Sequence, residues 1–438
     1  VTRLRAAEKD SGRRCKVQFD LAGPKLRTGA LHGGQRVARF GPERDEAGAV
    51  LRPALVWLTG ADAPCAPPVA VDWVLPMVGD VLREAASGDA LEIQDCRWRH
   101  RKVRLTEARD GGWLAQAVKR IYVEDGAAVR LRRRGRFIAH GVLRGLVTQE
   151  RPLRLKVGDH LRVCRDVAAG CAAQVAADGS VTRAAQVGST LGAAFDDIAA
   201  GHRILFDDGK IGGEVLANDG HALEVRITHT PPGGARLRAD KGINLPDSKL
   251  RLDSLSAADL EHLDFAVRHC DMVGLSFVRS AEDVLLLEDE LTRRDGQHLG
   301  VVLKIETRQG FEALPEILLA SLRSPPVGIM IARGDLAAEI GFERLAEVQE
   351  EILWLCEAAH VPVIWATQVL ETLAKSGAPS RAEVTDAAMG VRAECVMLNK
   401  GPYMVEAVTF LDAVLRRMQD HQHKKRAMLR RLAVAGAE

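Results

Sequence analysis

Lys304 and Glu306 flank one apolar residue at the end of a short apolar run, Val301 to Glu306, and Ala332-Arg333-Gly334-Asp335 closes the next such run. If both runs are parallel strands, side-chain alternation puts Lys304 and Glu306 on one face, with Asp335 arriving at the neighbouring strand end. Two carboxylates on adjacent strand ends form a pincer suited to Mg²⁺, which takes oxygen ligands, keeps several waters and leaves positions for substrate. An ammonium beside them supplies positive charge where phosphate oxygens or a developing enolate would lie. A Lys-x-Glu strand end taken alone fits a structural ion pair equally well. Gly334, which admits a ligand close to the backbone, tips the balance towards a site. Thr367 ends a third run, Val361 to Thr367, and would face the same cavity, although a lone strand-end threonine is more often a packing residue. Ser380 followed by Glu383 is a capping box opening a helix, and capping accounts for both residues.

The elements that must position these groups alternate from about Val267 onward. Apolar runs at Met272 to Val278, Val301 to Glu306, Val327 to Ala332, Val361 to Thr367 and Cys395 to Asn399 read as buried strands, and amphipathic stretches such as Ala281 to Arg294 and Leu345 to Ala359 read as helices. The pattern predicts a parallel sheet covered on both faces, open or closed. An N-terminal helix at Thr2 to Asp10 and a strand ending near Leu21 have the same character. Residues 30 to about 240 differ. Short alternating runs (Leu131 to Ile138, Arg154 to Val163, His202 to Phe206, Ala222 to Ile227) and the turn signals Asp207-Asp208-Gly209 and Pro231-Pro232-Gly233-Gly234 predict an inserted, mostly β module.

Composition narrows the partners. A formal net charge of +2 from large opposed pools of acid and base calls for neither nucleic acid nor membrane, and no stretch approaches the roughly 18 apolar residues of a spanning helix. Eight scattered cysteines without a CxxC pair or a zinc-type spacing are expected to be reduced and mostly buried, with the cytoplasm as the address. The arginines 97, 99, 101, 104, 130, 132, 133, 134 and 136 with Lys102, and the basic run over 418–431, read first as solvated faces and second as sites for an anionic ligand or RNA.

Taken in order, Asp20-Leu-Ala-Gly-Pro-Lys-Leu-Arg-Thr-Gly29, Lys241-Gly-Ile-Asn-Leu-Pro246, Asp271-Met-Val-Gly-Leu-Ser-Phe-Val-Arg279, Leu303-Lys-Ile-Glu306, Ile331-Ala-Arg-Gly-Asp-Leu336, Pro362-Val-Ile-Trp-Ala-Thr-Gln368 and Arg381-Ala-Glu-Val-Thr-Asp386 resemble the pyruvate kinase family. The resemblance implies an α/β fold, a TIM-type (β/α)8 barrel lacking its first two strands, with an inserted and enlarged mostly-β lid domain. Its divisions would be residues 1–29 and 241–415 for the barrel, 30–240 for the lid and 416–438 for a basic helical tail. It also implies Mg²⁺-dependent phosphoryl transfer between phosphoenolpyruvate/pyruvate and ADP/ATP. Glu306 and Asp335 would hold the metal. Lys304 and Thr367 would be catalytic, and Ser276, Phe277, Gly334 and Thr367 would contact the substrate. Arg27, Asp208 and Lys241 would serve the nucleotide. Lys25 stands where family members that need K⁺ carry glutamate, which implies that K⁺ is not required here.

Departures from the family pattern are also legible. The barrel is expected to lack two strands and a phosphate-binding arginine. The lid is about twice the usual size, with the extra material between about Gly41 and Leu153, and Asn399-Lys400-Gly401-Pro402 replaces a Ser-Gly-Glu-Thr type loop. The C-terminal regulatory domain is expected to be missing, so any oligomer would form without it. Two other readings compete: a magnesium-dependent lyase or aldolase of pyruvate-like enolates, and a catalytically impaired pyruvate kinase-like binding protein.

Overall fold

The computed structural model describes residues 1–32, 37–146, 150–166, 170–324, 326–423 and 426–427. It divides into two compact units, one made of Val1–Ala30 with Pro152–Glu438 and the other of Leu31–Arg151. Of the expected basic helical tail over 416–438, the first residues end the helix Met404–Met418, and 424, 425 and 428–438 lie outside the described residues.

In the first unit six parallel strands lie side by side in chain order: β1 (Gln18–Leu21), β2 (Met272–Leu275), β3 (Gly300–Ile305), β4 (Val327–Ala332), β5 (Val363–Ala366) and β6 (Cys395–Val396). Helices follow most of them, among them Ala281–Arg293, Leu314–Ser321 and Leu345–Ala358. This is the α/β arrangement of a TIM-type barrel, with β1 and β6 as the edges of the arc among the described residues. Alternation sorts the side chains. Val273, Leu275, Leu303, Ile305, Ile329, Ile331, Val363 and Trp365 share one fully buried cluster with the helices. Val302, Met330 and Ala366 form a small separate cluster on the opposite, barrel-inner face. Lys304 falls in register with Met330 and so belongs to that inner face.

Helix starts follow the local code. Ser256 with Asp259, Ser280 with Asp283, and Ser380 with Glu383 are reciprocal capping boxes, each satisfying orphan backbone donors. Gly401, in the loop Asn399-Lys400-Gly401-Pro402, approaches Ala374 so closely that a Cβ would lie 2.0 Å from the Ala374 carbonyl oxygen. Packing alone therefore requires glycine there.

A second sheet of the first unit runs in the order Ala185–Gly188, His160–Cys164, Ala222–His229, Ile211–Asn218, Arg203–Phe206, Ile243–Asn244. The expected single run from Arg154 to Val163 is two strands, Leu153–Leu155 and His160–Cys164, separated by a turn.

The other unit is a closed seven-stranded β barrel ordered Ala128–Arg133, Arg136–Leu143, Trp73–Gly79, Ala54–Gly60, Gly112–Ala117, His100–Arg109, Ala90–Gln94. Val56, Leu58, Leu75, Leu91, Val103, Leu105, Val129 and Leu131 fill its interior, and closure leaves no strand edge exposed. The alternating run from Leu131 to Ile138 is a hairpin. Arg134 and Gly135 both take positive φ (46° and 83°), the combination that a two-residue turn with matching twist demands.

All eight cysteines are free, but only Cys270 and Cys356 are buried, which corrects the expectation of mostly buried thiols. Cys15, Cys96 and Cys395 sit in a loop, a turn and an edge strand, where backbone position outweighs side-chain hydrophobicity.

Candidate active site

The polar residues of interest gather where the parallel strands end, the face on which barrels of this type carry their chemistry. β1 delivers Asp20, and β2 runs into Ser276 and Phe277. Lys304 lies in β3, which runs into Glu306; β4 leads to Arg333, Gly334 and Asp335, and β5 to Thr367.

Lys304 is the hub. Its ammonium donates to Ser276 Oγ at 2.9 Å and lies 3.4 Å from Asp20 Oδ2 and 3.5 Å from Glu306 Oε1. Burial works against its charge, but Glu306 and Asp20 outweigh burial and hold the ammonium above its ordinary range. Gly274 makes room for this cluster, since a Cβ there would come within 2.3 Å of Asp20 Oδ1.

Glu306 is only 5% exposed, and its Oε2 accepts the Phe277 backbone N–H at 2.6 Å. Burial pushes its carboxyl up; Lys304 opposes that and the negative charge of Asp335 adds to it. Glu306 therefore lies within electrostatic reach of Asp335. Asp335 is itself gripped by Lys25, whose Nζ lies 2.8 Å from Oδ2 and 3.0 Å from Oδ1 and stands 5.5 Å from the centre of the Phe277 ring.

Thr367 Oγ1 accepts the Gly334 N–H at 3.0 Å, which ties the end of β5 to that of β4. The Arg333 guanidinium makes the same tie from behind. Its Nε donates to the Ala366 carbonyl at 2.7 Å, one NH2 donates to the Thr367 carbonyl at 2.6 Å, and it pairs with Asp386 while lying over Trp365. Thr367 (φ 64°), Gln368 (φ 59°) and Phe277 (φ 56°) all occupy the left-handed region, which a β-branched or bulky residue enters only under constraint. Such strain clustered at one rim is a mark of a working site. The Cα of Gly334 faces open space, with nothing within 4 Å of a built Cβ.

Three further residues form a second group by the return from the β sheet. Arg27 donates to the Asp240 carbonyl at 3.0 Å and lies 3.4 Å from its carboxylate. Lys241 Nζ pairs with Asp207 Oδ1 at 2.6 Å. Asp208 is exposed in the turn beside Asp207, both at positive φ. The side chain paired with Lys241 is thus Asp207, which the sequence offered only as part of a turn.

Asp20 is the residue whose part in the cluster went unread, although alternation in β1 applied to it as it did to Lys304. Arg333 and Asp386 lie too far apart in sequence for any local signal to join them.

Comparison with known proteins fits this geometry. A family model described as the pyruvate kinase barrel domain matches residues 116–408. The chain is similar to pyruvate kinase PKLR of Rattus norvegicus, 39% identical over 226 residues that cover 50% of this chain and 38% of that protein. It is 37% identical over 237 residues to the pyruvate kinase of Geobacillus stearothermophilus (52% of this chain, 39% of that one) and 34% identical over 233 residues to that of Methanocaldococcus jannaschii (52% and 50%). The chain thus spans half or less of the length of these relatives.

Proposed function

The chain belongs to the pyruvate kinase family, and from that premise we propose that it moves a phosphoryl group between phosphoenolpyruvate and ADP in a magnesium-dependent reaction. The observation that carries the proposal is the Lys304 ammonium held among Ser276, Asp20 and Glu306 while Lys25 holds Asp335 at the next strand end.

Glu306 and Asp335 would hold the Mg²⁺. Both offer the hard oxygen donors that suit a cation which keeps water and takes substrate oxygens. Burial pushes the Glu306 carboxyl up, and a dication beside it would offset that cost and hold it ionised. Bound there, Mg²⁺ would neutralise charge on the phosphate and enolate oxygens.

The chain's own residues would do the rest. A loose phosphoryl transition state calls for positioning and positive charge rather than covalent help, and Lys304 would place its ammonium against the phosphoryl oxygens in flight and the enolate left behind. Ser276 accepts from the Lys304 ammonium and, with Phe277, would line the substrate pocket. Gly334 would receive the substrate carboxylate on the open side of its backbone. The Thr367 hydroxyl, held at the rim by Gly334, would orient the route by which the enolate is protonated.

Lys25 would stand in for a monovalent cation beside Asp335, so K⁺ is not required. Arg27 would meet the nucleotide phosphates, and Lys241 and Asp208 would close over the nucleotide with the lid, residues 30–240, excluding water that would otherwise intercept the phosphoryl group. The cytoplasm is the compartment that fits these substrates, and no helix among the described residues is long and apolar enough to cross a membrane.

A lactate dehydrogenase-coupled assay of the full chain with Mg²⁺ is the test. ADP-dependent pyruvate formation from phosphoenolpyruvate is expected, and none at saturating substrate would end the proposal.

A further inference from the structure

The unit Leu31–Arg151 holds a cavity of about 750 Å³ lined by Pro42, Glu43, Arg44, Arg97, Arg99, Arg101, Lys119 and Arg120. Six cationic side chains thus meet one carboxylate, and Glu43 is itself 3.3 Å from Arg52. We propose that this cavity is a binding site for a small organic polyphosphate, with the arginine forks as its phosphate ligands.

The cations come from three separate segments, so no single helix or strand pattern explains their convergence. One buried carboxylate organises half of them. Asp95, whose side chain is wholly buried, accepts the backbone N–H groups of Arg97 and Arg99 through Oδ1, at 3.0 and 2.9 Å. Its Oδ2 takes the Arg97 NH2 at 3.1 Å and the Arg101 Nε at 3.3 Å. Arg97 is further seated over the Tyr122 ring at 4.1 Å. These contacts fix the turn that carries Arg97 and Arg99 and the start of the strand that carries Arg101, while leaving most of their N–H donors unused.

On the rim, Arg99, Lys119 and Arg120 have no ion-pair partner among the described residues and are exposed. Like charges held together in this way repel one another, and a multivalent anion relieves that repulsion while meeting planar N–H forks that match phosphate geometry. The volume falls within the range of small-ligand sites.

The surroundings favour a compact ligand over a nucleic-acid strand. The adjoining cavity, about 440 Å³, contains the solvent-facing Trp98, and there Arg130 and Arg132 are mixed with Glu92, Asp95 and Glu124, Arg132 being paired with Glu92. Positive charge is therefore interrupted next to the cavity instead of continuing as a track along which a backbone could run.

Isothermal titration of the full chain with inorganic tripolyphosphate tests the site. One equivalent is expected to bind with a micromolar Kd, and the double substitution Arg99→Ala/Arg120→Ala is expected to weaken binding at least tenfold. Arg134→Ala/Arg136→Ala serves as the control. It removes equal charge from the hairpin that pairs with the opposite end of the strand Ala90–Gln94 and is expected to change Kd less than twofold. All four residues are exposed, and an unchanged thermal midpoint will show that folding is kept. Absence of saturable binding at low salt, equal losses in both variants, or tighter binding of a single-stranded RNA oligonucleotide than of tripolyphosphate would each overturn the proposal.

Discussion

The ammonium of Lys25 bridges both carboxylate oxygens of Asp335, at 2.8 and 3.0 Å, although 310 residues separate the two in the chain. A fixed positive charge therefore sits permanently beside one of the two carboxylates assigned to the metal. Replacing it with Lys25→Met is expected to lower kcat by about tenfold or more, the scale set by loss of one positioned charge, and to make the residual activity rise with K⁺. Wild-type activity compared in K⁺ and in tetramethylammonium is the companion measurement, and strong activation by K⁺ would remove Lys25 from this role.

Lys304→Met keeps the stem and deletes the ammonium. Because the proposed reaction needs that charge most as the phosphoryl group transfers, kcat is expected to fall by about 10²- to 10⁴-fold with a much smaller change in KM. Steady-state kinetics with phosphoenolpyruvate varied at saturating Mg²⁺ will separate the two parameters.

Thr367 invites a paired substitution. Thr367→Ser keeps an oxygen for the Gly334 N–H and is expected to retain activity within about tenfold, whereas Thr367→Ala is expected to lose about 10². Solvent-deuterium exchange into pyruvate, read by proton NMR, should slow in the alanine variant if the hydroxyl belongs to the protonation route.

Glu339 lies one helical turn beyond Asp335, is 7% exposed and accepts the Asn244 amide at 3.2 Å. Burial raises its carboxyl from 4.5 to about 7. A raised folded-state value means stability that is full below the unfolded value near 4.5 and is lost as pH climbs through about 7. The loss is about 3 kcal/mol at most, from 1.36 kcal/mol per pH unit. Urea midpoints between pH 5 and 8 should therefore fall in the wild type more steeply than in Glu339→Gln; parallel slopes would count against this assignment.

Arg333, 9% exposed, is held by Asp386 and by the Ala366 and Thr367 carbonyls. Arg333→Ala leaves these acceptors without their donor and should cost ~3 kcal/mol of unfolding free energy. Arg333→Lys is expected to recover little of it, because a point ammonium cannot reach all three acceptors. Chemical denaturation of both variants checks this.

Legibility differed between the two units for a physical reason. Strands β2 to β5 and the helices Ala281–Arg293 and Leu345–Ala358 appear within a few residues of where apolar periodicity put them, because a parallel sheet covered on both faces leaves continuous apolar runs. The Ser380–Glu383 capping box was equally readable, since all its partners lie within three residues. The closed barrel was read only as a β-rich stretch. Its alternation gave strands, but the turn at Arg134-Gly135 was hidden in a run of arginines, and nothing local signals that Ala90–Gln94 pairs with Ala128–Arg133 to close the ring.

The amino-acid order by itself determined that Lys304 and Glu306 share a strand end, that Asp335 ends the next strand, and that caps and turns fall where short-range hydrogen bonds can form. Only the tertiary structure decided that Lys25 and Asp20 join them, that Arg333 braces Thr367 from behind, and that six cations converge on one cavity, three of them held by the buried Asp95. Such meetings join residues distant along the chain, and the loop-closure entropy they cost is met by the packing of whole sheets rather than by any local preference.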